Sequence, residues 1–127
     1  MSELAETTQF LAGREPWSLL PPGEAAAYAR RATASYVRRG TQILTAGSPN
    51  SRMHVIRSGA VEVRDADGVL IDHDEEGHCF RQSSILEERP SRFTFTATED
   101  TLLWSFEADV VRELVANPRV LRFFTES

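Results

Sequence analysis

The chain has 127 residues, the length of one domain, and its 41% hydrophobic and 26% charged residues are typical of a folded globule. Its formal net charge is −5, and all 14 of its basic residues are arginines. This acidic balance argues against nucleic acid as a partner, because contacts to a phosphate backbone need a basic surface. The absence of lysine excludes catalysis through a Schiff-base or P-loop lysine.

The single cysteine, Cys79, excludes an internal disulfide, so nothing indicates an oxidised, secreted scaffold. The N-terminal residues include no basic segment followed by a long apolar run, and they do not resemble a signal peptide. No apolar run approaches the ~20 residues that cross a bilayer. We therefore expect a cytoplasmic protein without membrane contact.

The first 31 residues predict helices. Leu4, Phe10 and Leu11 give a weak amphipathic pattern that ends at Gly13, a suitable helix C-cap. A proline-rich turn over 16–22 follows, and Gly23 then precedes an alanine-rich helix that runs through residue 31.

Residues 33–106 predict strands. Short runs rich in β-branched and aromatic residues are each closed by a glycine or by an Asp/Asn cluster, and Asp67-Gly68 is a good hairpin turn. The predicted strands cover 35–38, 42–45, 53–57, 60–64, 69–72, 92–98 and 102–106. Short strands with this spacing are typical of an all-β sandwich or barrel.

The helical period returns after residue 106. Two apolar stripes follow, broken at Asn117-Pro118. They consist of Val110, Val111, Leu114 and Val115, and of Val120, Leu121, Phe123 and Phe124. The prediction is one domain over 1–127, mainly β with flanking helices: N-terminal helices over 1–31, a β-roll over 33–106 and hinge helices over 107–124.

The segment from His73 to Cys79 concentrates two histidines, three acids and the cysteine. It lacks a His-x-His pair and a recognisable distant ligand, so a solvated acidic turn is favoured over a metal site. A cupin-like metalloenzyme on the same roll would need that missing histidine pair.

Signatures of nucleophilic catalysis are also absent. Cys79 adjoins His78, but neighbours in a strand point to opposite faces and do not form a dyad. Ser83-Ser84 has no nearby base, and Glu87-Glu88 is most simply a polar loop. We expect no enzymatic activity.

Five parts of the sequence carry a resemblance to one known family. They are residues 77–97, Gly40, Gly47-Ser-Pro-Asn50, the block His54-Val-Ile-Arg-Ser-Gly-Ala-Val-Glu-Val63 and Asp67-Gly68. Together they resemble the cyclic-nucleotide-binding domain family. That family includes the sensor halves of catabolite-activator-type regulators and the regulatory subunits of cAMP-dependent kinase. The resemblance covers about residues 10–124 and implies an eight-stranded β-roll flanked by helices. It also implies a regulatory role in signal transduction.

In that family a short helix inside the roll forms a phosphate-binding cassette, written Phe-Gly-Glu, a small apolar turn, then Pro-Arg-Ala-Ala-Thr-Val-x-Ala. The exposed N–H groups at the start of the helix hold the cyclic phosphate. The glutamate accepts from the ribose hydroxyl, and the arginine pairs with the phosphate. The resemblance places the ligand-contacting positions of this chain at Phe80, Arg81, Gln82, Ser83, Ser84, Ile85, Ser91, Arg92 and Thr94.

Several of these positions depart from the family pattern. Arg81 occupies the position of the family's glycine, Gln82 that of its glutamate and Ser91 that of its arginine. Arg92 follows at once, but a one-residue offset on a strand sends its side chain to the opposite face unless a bulge intervenes. Charge could also return from Arg81. Losing two charge-assisted contacts of ~1.5–3 kcal/mol each weakens binding by a factor of roughly 10² to 10⁴, so we expect poor binding of cAMP and cGMP.

A second resemblance concerns the context of the domain. Residues 91–103 are similar to divergent domains of this type at the start of bacterial signalling proteins that continue into paired CBS domains and a nucleotidyltransferase-like region. This resemblance implies further domains after residue 127.

Two functional hypotheses follow. The first is a sensor module in which a small anionic ligand or nucleotide enters the roll and the C-terminal helices respond, with Val110, Leu114, Leu121, Phe123 and Phe124 as the moving face. The second is a protein-interaction or dimerisation domain that has lost the ligand, with the terminal Phe pair as an exposed docking surface. Neither hypothesis includes a cofactor or a metal.

Overall fold

The computed structural model describes residues 3–80 and 85–126. Its N-terminal part contains helix α1 (Glu3–Ala12), a 3-10 turn (Trp17–Leu19) and helix α2 (Glu24–Ala29). Helices α3 (Ala108–Leu114) and α4 (Pro118–Glu126) follow the last strand. Trp17 is fully buried against Phe106 and Tyr28, with ring centroids 5.0 and 5.9 Å away, so the turn fixes the N-terminal segment to the sheet. No helix in this part of the chain is both long and apolar enough to cross a membrane.

The strands of the described residues form two antiparallel sheets. They are β1 (Thr33–Val37), β2 (Gln42–Leu44), β3 (Arg52–Ser58), β4 (Val61–Asp65), β5 (Leu70–Asp74), β6 (Cys79–Phe80), β7 (Phe93–Ala97) and β8 (Thr101–Glu107). The strand order is β1-β8-β3-β6 in one sheet and β2-β7-β4-β5 in the other. This is the eight-stranded β-roll with flanking helices that the sequence predicts.

Alternation along β3 and β8 divides the apolar residues into two cores. Met53, Val55, Trp104 and Phe106 face the helices and pack with them. The intervening positions face the other sheet, where Ile56 and Leu103 join a second core. This core consists of Leu44, Ile56, Val61, Val63, Phe80, Phe95 and Leu103. A strand buried on both faces reads as a continuous apolar run, as β8 does.

All seven predicted strands are present, each within two residues of its predicted ends. The eighth, β6, is two residues long and pairs with β3 through His54↔Phe80 and Val55↔Cys79. The predicted hairpin is confirmed: the N–H of Asp65 donates to the carbonyl of Val69, and Gly68 has φ 82°.

Two predictions about the C-terminal helices are wrong. In α4 the buried residue is Val120, at 0% exposure, whereas Leu121 is 41% exposed. A residue four positions after Val120 shares its face, so Phe124 also packs inward and Leu121 is turned away. The terminal Phe pair is not an exposed surface, because Phe123 and Phe124 are both half-buried, with ring centroids 5.6 Å apart.

Candidate functional site

The site begins at Phe80, the last residue of β6, whose side chain is buried between the two sheets. Its ring stacks on Phe95 of β7 at a centroid distance of 5.1 Å and lies 5.2 Å from the His54 ring on β3. Phe80 therefore occupies the interior of the roll, where the sequence predicts a ligand contact.

The four positions Arg81, Gln82, Ser83 and Ser84 lie outside the described residues. The chain is described again from Ile85, which is helical and buried. Ile85 packs in the helical core with Val111, Leu114 and Val120 rather than between the sheets. This predicted contact residue therefore connects the cassette to the C-terminal helices.

Ser91 stands where the family pattern has arginine, and it is buried. Its hydroxyl donates to the carbonyl of Phe93 at 2.8 Å and accepts from the Phe93 N–H at 3.2 Å. Its backbone pairs with the loop after β2, through Gly47 N–H at 2.7 Å and the Ser48 carbonyl at 3.1 Å. Ser91 thus anchors a turn and carries no charge into the roll.

Arg92 points away from the roll, as the one-residue offset predicts. Its side chain is 57% exposed, and its nearest carboxylate is Glu87, 3.8 Å away. Thr94 is half-buried, and its Oγ1 accepts the N–H of Ala46 at 3.0 Å, which ties β7 to the end of β2. Among the described cassette residues, the interior position is neutral and the cation is outside.

The interior contains a polar pair that the sequence reasoning missed. His54 on β3 and Ser105 on β8 are both buried, and His54 Nδ1 is hydrogen-bonded to Ser105 Oγ at 2.5 Å. Their backbones are cross-strand partners, as are those of His54 and Phe80, so the three form a row on the inner face of one sheet. The signal was available: His54 shares a strand face with apolar Ile56, opposite to Met53 and Val55, so both faces of β3 are apolar and His54 is expected to be buried.

The polar side chains in and next to the acidic turn after β5 contact one another. His78 Nδ1 lies 3.4 Å from Asp74 Oδ1, and His73 Nδ1 lies 3.7 Å from Glu75 Oε1. Burial, followed by the charge of Asp72, raises the pKa of Asp74 to about 6. Burial raises the pKa of the Cys79 thiol to about 12, so it remains protonated at neutral pH. Residues 3–80 and 85–126 contain no group of three metal-ligating side chains.

These features define a class of protein: a β-roll with an aromatic interior, a helical segment between β6 and β7, and helices after the roll that contact that segment. The chain belongs to the cyclic nucleotide-binding domain family, whose model matches residues 34–117.

Three comparisons describe its relatives. The cAMP-dependent protein kinase regulatory subunit of Yarrowia lipolytica is 29% identical over 76 residues, which are 60% of this chain and 20% of that protein. The sensor domain of the transcriptional regulator DNR from Pseudomonas aeruginosa superposes with a TM-score of 0.85 at 16% identity, covering 99% of this chain and 89% of that one. The regulatory subunit of a cAMP-independent protein kinase A from Trypanosoma cruzi, bound to guanosine, gives 0.83 at 18% identity, covering 100% and 48%.

The chain thus spans about a fifth of the length of the curated relative that it matches. The structural likenesses, all at low identity, establish the fold. The chain is a regulatory β-roll domain of this family.

Proposed function

We propose that this chain is the sensor domain of a longer regulatory protein and that its roll selects an uncharged planar ligand, such as a nucleoside, over cAMP or cGMP. The observation that carries the proposal is the placement of charge at the cassette: neutral Ser91 is buried and Arg92 is outside. Under this proposal the domain has no catalytic step.

The energetic argument concerns the cyclic phosphate. A phosphate that enters the roll loses its hydration, and a guanidinium normally compensates through charge-assisted hydrogen bonds. Ser91 offers one neutral hydroxyl, which already bonds to the backbone of Phe93. Replacing one charge-assisted contact of ~1.5–3 kcal/mol by nothing weakens binding by roughly 10- to 150-fold.

The interior instead suits a planar aromatic ligand. Phe80 and Phe95 stack on each other there, and His54 and Ser105 place polar atoms beside them. Aromatic faces bind bases by stacking, and a few buried polar groups fix their orientation. The structural relative from T. cruzi is described as cAMP-independent and bound to guanosine, which supports this class of ligand.

The output of the sensor runs through Ile85. This residue belongs to the cassette by sequence and to the helical core by packing, where it adjoins α3 and α4. A ligand that moves the cassette changes how those helices pack. This change shifts the equilibrium between two conformations of the hinge. We propose that the receiving part lies in further domains of the type implied by residues 91–103, the CBS and nucleotidyltransferase-like regions of bacterial signalling proteins.

The test is calorimetry with matched pairs of ligands: guanosine with cGMP, and adenosine with cAMP. Each pair shares its base and ribose and differs in the cyclic phosphate. We expect at least one nucleoside to bind more tightly than its cyclic partner. Tighter binding of both cyclic nucleotides would contradict the proposal.

The β4–β5 hairpin favours a second candidate function, formation of a homodimer. Val69, Leu70 and Ile71 are 55%, 52% and 51% exposed, and β5 is the edge strand of its sheet. Such an exposed apolar run on an edge is typical of an interaction surface. The hairpin also carries the acids Asp65 and Asp67.

Helix α4 of a second copy offers an apolar contact for this hairpin, because it presents exposed Leu121. Sedimentation equilibrium tests the candidate. We expect a concentration-dependent dimer that both Ile71→Asp and Leu121→Asp convert to a monomer. A wild-type chain that stays monomeric at all concentrations would refute it.

A further inference from the structure

A cavity of about 360 Å³ lies outside the roll, where three segments meet. Its walls are the loop after β2 (Pro49, Asn50), the end of the cassette (Ile85, Glu88 to Pro90) and Arg112 of α3. This volume is within the range of sites for small organic ligands, ~300–1,000 Å³. The cavity therefore lies at the junction of the cassette, the loop after β2 and the first C-terminal helix.

One wall of the cavity carries an uncompensated charge. The guanidinium of Arg112 has no carboxylate within 4.0 Å and no hydrogen bond to the residues that the structure describes. The acids of its own helix are engaged elsewhere, because Asp109 and Glu113 both pair with Arg31 at the end of α2. Helix α3 is thus linked by ion pairs to Arg31, just after α2, on one side. On the other side it presents Arg112, which has no ion-pair partner among the described residues, to the cavity.

The opposite wall provides a second cation. Arg89 of the cassette pairs with Glu87, its NH2 lying 2.6 Å from Glu87 Oε2, and the same carboxylate lies 3.8 Å from Arg92. Two guanidiniums therefore share one acid. Glu88 also lines the cavity, so its charged lining of Arg89, Arg112 and Glu88 has a net charge of +1 in a chain whose net charge is −5.

We propose that this cavity binds the oxyanion of a small molecule, a phosphate or phosphate monoester, between Arg89 and Arg112. Planar guanidiniums bind phosphate oxygens through paired hydrogen bonds. Pro49, Ile85 and Pro90 provide an apolar wall for the organic part of an ester. The bound anion bridges the cassette to α3 and so holds the hinge helix in the conformation described here. The site is independent of the proposed ligand inside the roll.

Titration of the ¹⁵N-labelled chain with inorganic phosphate and with phenyl phosphate, at constant ionic strength maintained with sodium chloride, tests the proposal by NMR. We expect saturable shifts at the amides of Asn50, Glu88, Arg89 and Arg112. Tighter binding of phenyl phosphate assigns an ester, and equal binding assigns free phosphate; both support an oxyanion site. Removing one charge-assisted contact, in Arg112→Gln or Arg89→Gln, should raise Kd about tenfold or more.

Arg38→Gln is the matched control. It removes the same charge from an exposed arginine in the turn between β1 and β2, where Gly40 pairs with Ala97 at the far end of the β2–β7 ladder. Its Kd should equal that of the wild type. The proposal is overturned if all three variants weaken binding equally, which indicates general charge attraction, or if the wild type shows no saturable shift.

Discussion

Replacing Ser105 with alanine removes one partner of the buried pair inside the roll. His54 and Ser105 lie on the inner face of the same sheet, and their 2.5 Å hydrogen bond is shielded from water by the neighbouring aromatic rings. A buried polar group that loses its partner costs ~1–3 kcal/mol, because water cannot replace the lost bond. We therefore expect Ser105→Ala to lower the free energy of unfolding by about 2 kcal/mol.

A double-mutant cycle separates this bond from the loss of the hydroxyl itself. If the cost arises from the lost bond between His54 Nδ1 and the Ser105 hydroxyl, His54→Leu should reduce the effect of Ser105→Ala, giving a coupling energy of about 1 kcal/mol or more. Urea denaturation followed by tryptophan fluorescence suits the measurement, because Trp17 and Trp104 are both buried. Ser35→Ala, at an exposed serine of β1 in the same sheet, is the control and should change stability by less than about 0.5 kcal/mol.

The reasoning fails if Ser105→Ala is as stable as Ser35→Ala, or if the effects of Ser105→Ala and His54→Leu are additive. Either result would mean that the pair contributes no specific interaction to the interior. The roll interior would then have no polar group held in place by a specific hydrogen bond.

Three further predictions concern single residues. Because burial raises the pKa of Asp74 from 3.8 to about 6, ionisation disfavours the folded state, and the free energy of unfolding falls as pH rises from about 4 to 6. Asp74→Asn should therefore exceed the wild type in stability at pH 7 by about 1–2 kcal/mol and match it near pH 3 in urea melts; equal stability at pH 7 would contradict this. Gly59→Ala should lower the free energy of unfolding by about 3 kcal/mol or more in the same assay, because φ is +104° and a Cβ would lie 2.8 Å from the carbonyl oxygen of Asp100. A loss below about 1 kcal/mol would show that the turn adapts. The half-buried Cys79, with a thiol pKa of about 12, should resist iodoacetamide at pH 8 in the folded chain and react in urea, as mass spectrometry would show; rapid reaction in both states would contradict this prediction.

The architecture of the roll could be predicted from the sequence because its signals are local. The glycines that close the turns and the alternation in β3 and β8 determine strand ends and faces, and each predicted strand is found. β6 was missed because two residues within an acidic turn carry no periodicity. Only its pairing with β3 defines it as a strand.

The positions of several site residues depend on tertiary contacts, which the sequence does not show. Arg92 is exposed as predicted, but it lies in the turn before β7 and not on a strand, so alternation is not the cause. The anchoring of Ser91 to the loop after β2 depends on residues more than forty positions away. The error at Leu121 has a similar cause: in a short apolar stripe the buried face is decided by how α4 packs, and this packing selects Val120.

The central claim is that the described part of the cassette, from Ile85 to Thr94, has no interior cation to hold a cyclic phosphate. The most direct measurement is the ratio of the dissociation constants of cGMP and guanosine for the wild type and for Ser91→Arg, with Ser91→Gln as an uncharged control of extended shape. We predict a ratio above one in the wild type and in Ser91→Gln, and a ratio lowered roughly tenfold or more in Ser91→Arg. A wild-type chain that binds cGMP far more tightly than guanosine would contradict the claim.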